Sequence, residues 1–171
     1  MRELHSGARF YKNTTLCQLN MVSQLNLPTY PFRIDQQDGK NLIFDEIRKK
    51  LVVLTPEEWV RQNFVQYLIG EKQFPASLMA IETGLKINQN QFRADLLIYD
   101  RKGKPLFLVE FKAPSVKITQ QTFDQITRYN MTFQVPYLIV SNGLSHYCCL
   151  VDLEKQSYVF LKEIPIFNQL F

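Results

Sequence analysis

The amino-acid sequence predicts an α/β domain in which a mixed central sheet is flanked by helices, with extra strands at both ends. From residue 55 onward the apolar patterns follow the order helix, strand, strand, strand, helix, strand. The chain has 171 residues, of which 46% are hydrophobic and 13% aromatic, which is enough to bury one sizeable core. We therefore expect a single domain over residues 25–171. Residues 1–24 are polar without a clear period and are predicted to be a poorly ordered arm or an over-extended start.

The first helix has the clearest start signal in the sequence. Thr55 offers a capping hydroxyl, Pro56 suits the first helical position, and two glutamates follow where the helix dipole favours negative charge. Gly70 provides the stop, so the helix is predicted to run to about residue 69. The apolar residues at helical spacing, which predict its buried face, are Val60, Phe64, Tyr67 and Leu68.

Short apolar runs between turn residues predict the strands. Two of them precede the helix, at residues 42–44 and 51–54. Three longer candidates follow it, at 78–87, 92–99 and 105–112. A second helix is predicted at 119–131 with Thr119 as its cap. The last predicted strands are at 136–140, 147–151 and 158–161.

Composition limits the classes of function. Lysine and arginine exceed aspartate and glutamate by 20 to 16, a net charge of +4 that is compatible with a polyanionic partner without requiring one. The three cysteines lack the spacing of a disulfide framework or a zinc finger, so we expect a reduced, cytoplasmic protein. No apolar run approaches the roughly 18 residues of a membrane span, so no membrane partner is expected.

Charged residues interrupt two buried strands of the predicted sheet. A two-residue turn at residues 102–103 would place Asp95 opposite Glu110, and Lys112 would share the face of Glu110 because strand side chains alternate. Two unpaired buried carboxylates are costly, so a cation is needed nearby. Lys112 is one candidate, and a hard divalent ion such as Mg²⁺ or Mn²⁺ is another. The alternative is an ordinary salt bridge at the strand ends.

These residues resemble a known family. The pair AD at 94–95 and the run VEFKAP at 109–114 are similar to the core of the PD-(D/E)XK nucleases. Three further runs are similar to the N-terminal nuclease domain of type I restriction enzyme R subunits, in stand-alone form: TPEEWVRQ at 55–62, QITRYN at 125–130 and SNG at 141–143. The resemblance spans residues 25–161 and implies a restriction-endonuclease-like core with the order αβββαβ.

The resemblance also implies roles for individual residues. Asp95 and Glu110 would hold Mg²⁺, or Mn²⁺ in its place, and Lys112 would orient or activate the attacking water. The residues expected to assist are Gln125, Tyr129, Glu57 and Glu82. Each of the four has a simpler explanation: packing for Gln125 and Tyr129, a helix start for Glu57, and a solvent-facing strand edge for Glu82.

The functional prediction is a metal-dependent DNA endonuclease-like domain. Its phosphate contacts are expected among Lys117, Arg128 and Arg93. Its expected partners are DNA and a protein of a restriction system or another DNA-targeting protein, because the sequence has no phosphate-binding loop of an ATP-driven motor. The alternatives are a catalytically inactive module that binds nucleic acid or a partner on the same fold, and a purely structural domain. The sequence predicts no oligomeric state.

Overall fold

The structure is a computed structural model that describes residues 9–12, 22–87 and 90–171, with the backbone alone for residues 9–12, 83–87, 90–92 and 129. Its strands form a four-stranded sheet and a six-stranded sheet. The smaller sheet holds β1 (Arg9–Lys12), β2 (Pro31–Gln37), β3 (Lys40–Asp45) and β4 (Lys50–Val53). The larger sheet holds β5 (Met79–Ile87), β6 (Asn90–Tyr99), β7 (Pro105–Phe111), β8 (Tyr137–Ser141), β9 (His146–Asp152) and β10 (Ser157–Leu161). The helices are α1 (Pro56–Gly70) and α2 (Gln120–Phe133), with short 3₁₀ turns at Ala76–Leu78 and Phe167–Gln169.

The larger sheet is mixed, as the sequence predicts. Its strand order is β10-β9-β8-β7-β6-β5, and every neighbouring pair is antiparallel except β7 and β8. The parallel pair follows from α2, which carries the chain back between these two strands. The fold class predicted from the sequence, a mixed sheet with helices beside it and further strands at both ends, is confirmed at this level.

Helix α1 begins and ends where the sequence predicts. The Thr55 hydroxyl accepts a hydrogen bond from the backbone N–H of Glu58 at 3.0 Å, which satisfies one of the free donors of the first turn. Val60, Phe64 and Leu68 are fully buried against the larger sheet. Tyr67 is only partly buried, because it packs at the edge of that cluster.

Helix α1 lies between the two sheets. Its Val60 face belongs to the core of the larger sheet, whereas Trp59 packs with Phe32, Ile34 and Ile43 of the smaller one. The polar residues Arg61, Gln62 and Asn63 are buried too, which the sequence does not predict. For Arg61 the reason is a contact with the smaller sheet, because Oδ2 of Asp45 lies 2.8 Å from Nη2 of Arg61. The second helix, α2, packs on a different cluster that contains Leu97, Leu108 and Leu138.

The segment at residues 22–27 contacts both α1 and the end of the larger sheet. The indole N–H of Trp59 donates to the carbonyl of Ser23 at 2.9 Å, and the N–H of Asn26 donates to the carbonyl of Gly143 at 2.8 Å. Gly143 has a φ of +80°, and a Cβ atom there would lie 2.6 Å from Cδ2 of Leu25. Glycine is therefore required by both the turn and the close approach. The arm predicted at residues 1–24 and the boundary at residue 25 stay predictions.

No helix in the described part of the chain combines the length and apolar character needed to cross a membrane.

Candidate active site

The hairpin of β6 and β7 sets the register of the candidate site. Leu96 pairs with Val109 and Leu97 with Leu108, which is the register that the sequence predicts. The predicted two-residue turn is wrong. Instead, the N–H of Gly103 donates to the carbonyl of Asp100 at 3.1 Å, and Tyr99 pairs with Pro105. A register shift between Ile98 and Tyr99 compensates for the longer turn, so the pairing nearer the site is unchanged.

Asp95 lies where this pairing is interrupted. Its Oδ2 atom accepts a hydrogen bond from the backbone N–H of Phe111 at 2.7 Å, which joins β6 to β7 through a side chain. Burial raises the pKa of Asp95 above its ordinary range, and it outweighs the Phe111 hydrogen bond and the charge of Lys112, which both act to lower that pKa. The Asp95 carboxylate is therefore held in place by the backbone but poorly solvated.

Glu110 near the end of β7 and Lys112 just after it form an ion pair, as expected from their predicted position on the same face. The Nζ atom of Lys112 lies 2.6 Å from Oε1 of Glu110, and the Glu110 side chain is 9% exposed. Burial and the neighbouring charge of Asp95 raise the pKa of Glu110 despite this lysine. Burial alone would lower the pKa of Lys112, but its hydrogen bond to Glu110 and the surrounding carboxylates raise it. Lys112 is therefore positively charged at neutral pH.

Glu57, at the start of α1, belongs to the same electrostatic group. Partial burial and the charge of Asp95 raise the pKa of Glu57, whereas Lys112 acts to lower it. Glu57 and Asp95 also line one pocket of about 270 Å³, whose wall includes Phe111. The structure thus brings together Asp95, Glu110, Lys112 and Glu57, and in this group the carboxylates outnumber the ammonium group.

The candidate site offers carboxylate oxygens as metal donors. Among the described residues, no three His, Cys, Asp or Glu side chains are grouped so that they alone could hold a metal ion. Asp95 and Glu110 provide two carboxylates, the hard oxygen donors that suit Mg²⁺, and magnesium sites commonly use one or two carboxylates and complete the shell with water. The residues present therefore fit a magnesium-like ion that retains several waters.

A group of ion-paired side chains borders the pocket, and we call it the arginine–carboxylate network. It consists of Asp45, Arg48, Glu58, Arg61, Glu82 and Arg93. At its centre, Oδ2 of Asp45 lies 2.6 Å from Nε of Arg48 and 2.8 Å from Nη2 of Arg61. Asp45 and Arg61 are almost fully buried. Sequence reasoning missed this centre, because its members come from β3, the following turn and α1, and no local pattern links them.

Glu82 joins the network from β5. Its two carboxylate oxygens lie 2.6 Å from Nη1 of Arg48 and 2.6 Å from Nη2 of Arg93. The sequence left two readings open for Glu82, a place near the site or a solvent-facing strand edge. Glu82 lines the pocket that contains Asp95, and its side chain is 40% exposed. The structure therefore places Glu82 beside the candidate site with a partly exposed side chain, and its role in the site stays a prediction.

The residues of α2 have a different setting. Gln125 is partly buried, and the structure describes the backbone alone of Tyr129, so the role expected for the Tyr129 side chain lies outside the described residues. The apolar side of α2 packs through Phe123 and Ile126 on the cluster of Leu97 and Leu108. Both alternatives for Gln125, packing and a role in the site, stay predictions.

The basic residues expected to contact phosphate are spread over the surface. Lys117 is exposed in the connection between β7 and α2, and Arg128 is exposed on α2, where its Nε donates to the carbonyl of Asp124 at 3.1 Å. Arg93 is 63% exposed and paired with Glu82. Their contact with nucleic acid stays a prediction.

A match to a protein-family profile shows which family the chain belongs to. The profile of the type I restriction enzyme R protein N terminus (HSDR_N) matches residues 56–165, which is more than half of the chain. The chain belongs to this family. The match includes Asp95, Glu110 and Lys112 together with α1 and α2. It also supports the resemblance to restriction enzyme R subunits that the sequence motifs indicate.

The HSDR_N domain also has a solved structural relative. This is a fragment of a protein assigned as an HsdR subunit of a type I restriction enzyme from Vibrio vulnificus YJ016, with 18% sequence identity and a TM-score of 0.48. The match covers 68% of this chain and 25% of that one, so this chain spans about a quarter of the length of the solved fragment. No curated protein sequence matches the chain.

Proposed function

We propose that this HSDR_N domain is a metal-dependent DNA endonuclease of the PD-(D/E)XK type, which uses Mg²⁺ or Mn²⁺ at Asp95 and Glu110. The observation that supports the proposal is geometric: Lys112 pairs with Glu110 at 2.6 Å, beside an Asp95 carboxylate that the Phe111 N–H holds at 2.7 Å, so two poorly solvated carboxylates share one lysine. Such an arrangement is costly in the folded protein unless a cation neutralises it. Perturbed carboxylates that share a pocket with other charged groups are typical of functional sites.

Each residue of the group has a distinct role in phosphodiester hydrolysis. Asp95 and Glu110 would hold the ion, and the hydrogen bond from the Phe111 N–H fixes the orientation of the Asp95 carboxylate. The bound ion would stabilise negative charge on the phosphate and lower the pKa of an attacking water. Lys112 supplies a fixed positive charge and a hydrogen-bond donor beside Glu110, and it orients that water. Glu57 assists as a further acid at the pocket.

The substrate and partner proposals follow from the family. The domain acts on DNA, and exposed basic residues such as Lys117, Arg128 and Arg93 contact the phosphate backbone. A protein of a restriction system, or another DNA-targeting protein, brings the domain to its substrate. The competing function is a catalytically inactive module on the same fold that binds nucleic acid or a partner protein.

A cleavage assay with matched variants tests the proposal. Supercoiled plasmid, linear duplex and single-stranded DNA are incubated with the protein in Mg²⁺, Mn²⁺ or EDTA. We expect cleavage only with metal, and loss of about 100-fold or more in Asp95→Ala and Lys112→Ala. Lys104→Ala, an exposed lysine at the other end of β7, is the control and should cleave like the wild type.

Two results would decide against the endonuclease. A wild-type protein that binds DNA in a salt-dependent manner but cuts none of the three substrates in either metal would support the inactive binding module. Unchanged cleavage by either alanine variant would show that Asp95 and Lys112 do not form the catalytic site. Circular dichroism of each variant confirms that the fold is retained.

A further inference from the structure

Glu82 has a backbone conformation that is unusual for a glutamate inside a strand. Its φ is +52°, in the left-handed region, although it lies within β5. A side chain other than glycine or asparagine is strained there, because Cβ approaches the following carbonyl oxygen. Such an outlier persists only where surrounding contacts determine it, and outliers of this kind concentrate at functional sites.

The position of Glu82 in the sheet is directly opposite Asp95. Ile81 pairs with Leu96 and Thr83 with Ala94, so Glu82 and Asp95 occupy the intervening positions of the two strands. The regular pairing is interrupted at this one step. The left-handed backbone of Glu82 and the Asp95 carboxylate therefore occur at the same interrupted pair, one on β5 and the other on β6.

Two arginines hold the Glu82 side chain on either side of this irregularity. Arg48 reaches it from the turn after β3, at 2.6 Å, and Arg93 reaches it from β6, two residues before Asp95, also at 2.6 Å. Arg48 is itself fixed, because its Nε lies 2.6 Å from the buried carboxylate of Asp45. The Asp45 carboxylate also accepts the backbone N–H groups of Ile47 and Arg48 at 2.8 and 2.9 Å. A rigid turn of the smaller sheet is thus connected to β5 and β6 beside Asp95.

We propose that Glu82 is a positioning residue, whose bridge between Arg48 and Arg93 fixes β5 and β6 so that the Asp95 carboxylate is presented to a divalent ion. This inference rests on the proposed function, since it takes Asp95 as a metal ligand. Groups that orient a metal ligand typically contribute 10–100-fold to metal affinity without touching the metal. Glu82 orients Asp95 indirectly. Its left-handed backbone is strained, and this conformation keeps its carboxylate between Arg48 and Arg93.

The Glu82→Gly variant separates this role from a merely structural one. Glycine tolerates a φ of +52°, so the variant relieves the strain at the same time as it removes the bridge. The two lost ion pairs are at a partly exposed site, where such pairs contribute little to stability. We expect an unchanged or higher melting temperature together with a Mn²⁺ dissociation constant about 10-fold larger by calorimetry. A residue needed only for folding cannot produce both effects.

Two further variants provide a partial loss of the bridge and a control. Arg93→Gln removes half of the bridge from an exposed position and should weaken Mn²⁺ binding less than Glu82→Gly does. Glu46→Gln is the control, because Glu46 pairs with Lys49 at 2.9 Å in the same turn as Arg48 but makes no contact with the network. Its Mn²⁺ affinity and melting temperature should equal those of the wild type.

A readout without metal makes the test independent of the proposed function. The Phe111 amide, which donates to Asp95, should exchange its hydrogen faster in Glu82→Gly, whereas amides of β8 should be unaffected. A wild type that binds no Mn²⁺ would remove the metal site but would leave this exchange effect to support the positioning of Asp95. Wild-type Mn²⁺ affinity and wild-type Phe111 exchange in Glu82→Gly would overturn the inference.

Discussion

Lys112 lies 2.6 Å from Glu110, and yet the pKa of Glu110 is raised. Burial of the glutamate and the charge of Asp95 together outweigh the attraction of the lysine. The lysine offsets only part of the cost of ionising Glu110, and Asp95 and Glu57 add two further carboxylates to the group. The site therefore retains an unbalanced negative charge even with its lysine in place, and this imbalance underlies the first two predictions.

Asp95→Asn should stabilise the protein at neutral pH in the absence of metal. Burial raises the pKa of Asp95, so the protonated carboxyl is the form that the folded protein favours. The stability that this form contributes is fully present below the unfolded pKa near 4 and is lost as the pH rises through the folded pKa. Asparagine keeps an acceptor for the Phe111 N–H without the charge. We expect a melting temperature a few degrees above the wild type at pH 7.5 and equal to it below about pH 4.

Calorimetry at both pH values measures this difference, with Asp124→Asn as the control. Asp124 is an exposed carboxylate on α2, and its replacement should have the same small effect at both pH values. A destabilised Asp95→Asn protein at pH 7.5 would show that the charge of Asp95 is favourable in the fold, and would contradict the imbalance.

Lys112→Met should separate metal binding from cleavage. Removal of the ammonium leaves Glu110 free to bind the ion, so the Mn²⁺ affinity should be retained or increased. Cleavage should fall by about 100-fold or more, because the water loses its positioning donor. Isothermal titration and plasmid nicking measure the two quantities, and Lys104→Met provides the matched control. A parallel loss of metal affinity and cleavage would make Lys112 a structural residue.

Asp45→Ala should strongly destabilise the fold. Burial alone would raise the pKa of Asp45, but the Arg48 backbone N–H, the charge of Arg61 and the side-chain hydrogen bonds from both arginines outweigh it and lower that pKa. Removal of Asp45 takes from the buried Arg61 one of its two carboxylate partners and leaves Glu58 as the other, so we expect a cost of up to about 3 kcal/mol, the lower end of the range for an uncompensated buried charge. Urea unfolding measures the loss, and Glu46→Ala, from an exposed ion pair, should change the free energy of unfolding by about 1 kcal/mol or less.

The lowered pKa of Asp45 also predicts a pH dependence. Its contribution to stability is present above the unfolded pKa near 4 and is lost as the pH falls through the lower folded pKa. The free-energy difference between the wild type and Asp45→Ala should therefore shrink in strongly acidic solution. An equal difference at pH 7 and at pH 2 would show that Asp45 stabilises the fold by packing and not by charge.

Gly143→Ala should destabilise the fold through two effects that can be separated. The methyl group would sit 2.6 Å from Cδ2 of Leu25, and alanine is strained at a φ of +80°. We expect a loss of about 1–3 kcal/mol in chemical denaturation. Adding Leu25→Ala should restore the part that is due to the contact but not the backbone part. No rescue at all by the second change would mean that the backbone strain alone is responsible.

Local signals explain which features the sequence predicts. The start of α1 is encoded by Thr55 and Pro56. The register of β6 and β7 near the site was predicted by counting back from a two-residue turn, and it is correct because a register shift compensates for the longer turn observed. The turn between those strands was wrongly predicted, because Gly103 fits a two-residue turn as well as the longer one observed. The number of residues in the hairpin can be read from the sequence, but the register shift at Tyr99 cannot.

The remaining features depend on contacts between distant parts of the chain. Arg48 and Glu82 are separated by 34 residues, and neither has a neighbour that marks it as a partner of the other. The left-handed backbone of Glu82 has no sequence signal either, since glycine is the residue expected at such a φ. The burial of Arg61 follows only from the second sheet on the far side of α1.

Because α1 lies between two sheets, the stable domain needs both of them. The family profile begins at residue 56, whereas Asp45 and the strands that shelter Trp59 precede it. A fragment trimmed to residues 56–165 would keep every proposed catalytic group but would expose one whole side of its central helix. Anyone who shortens this protein should therefore retain the first sheet, even though the profile does not include it.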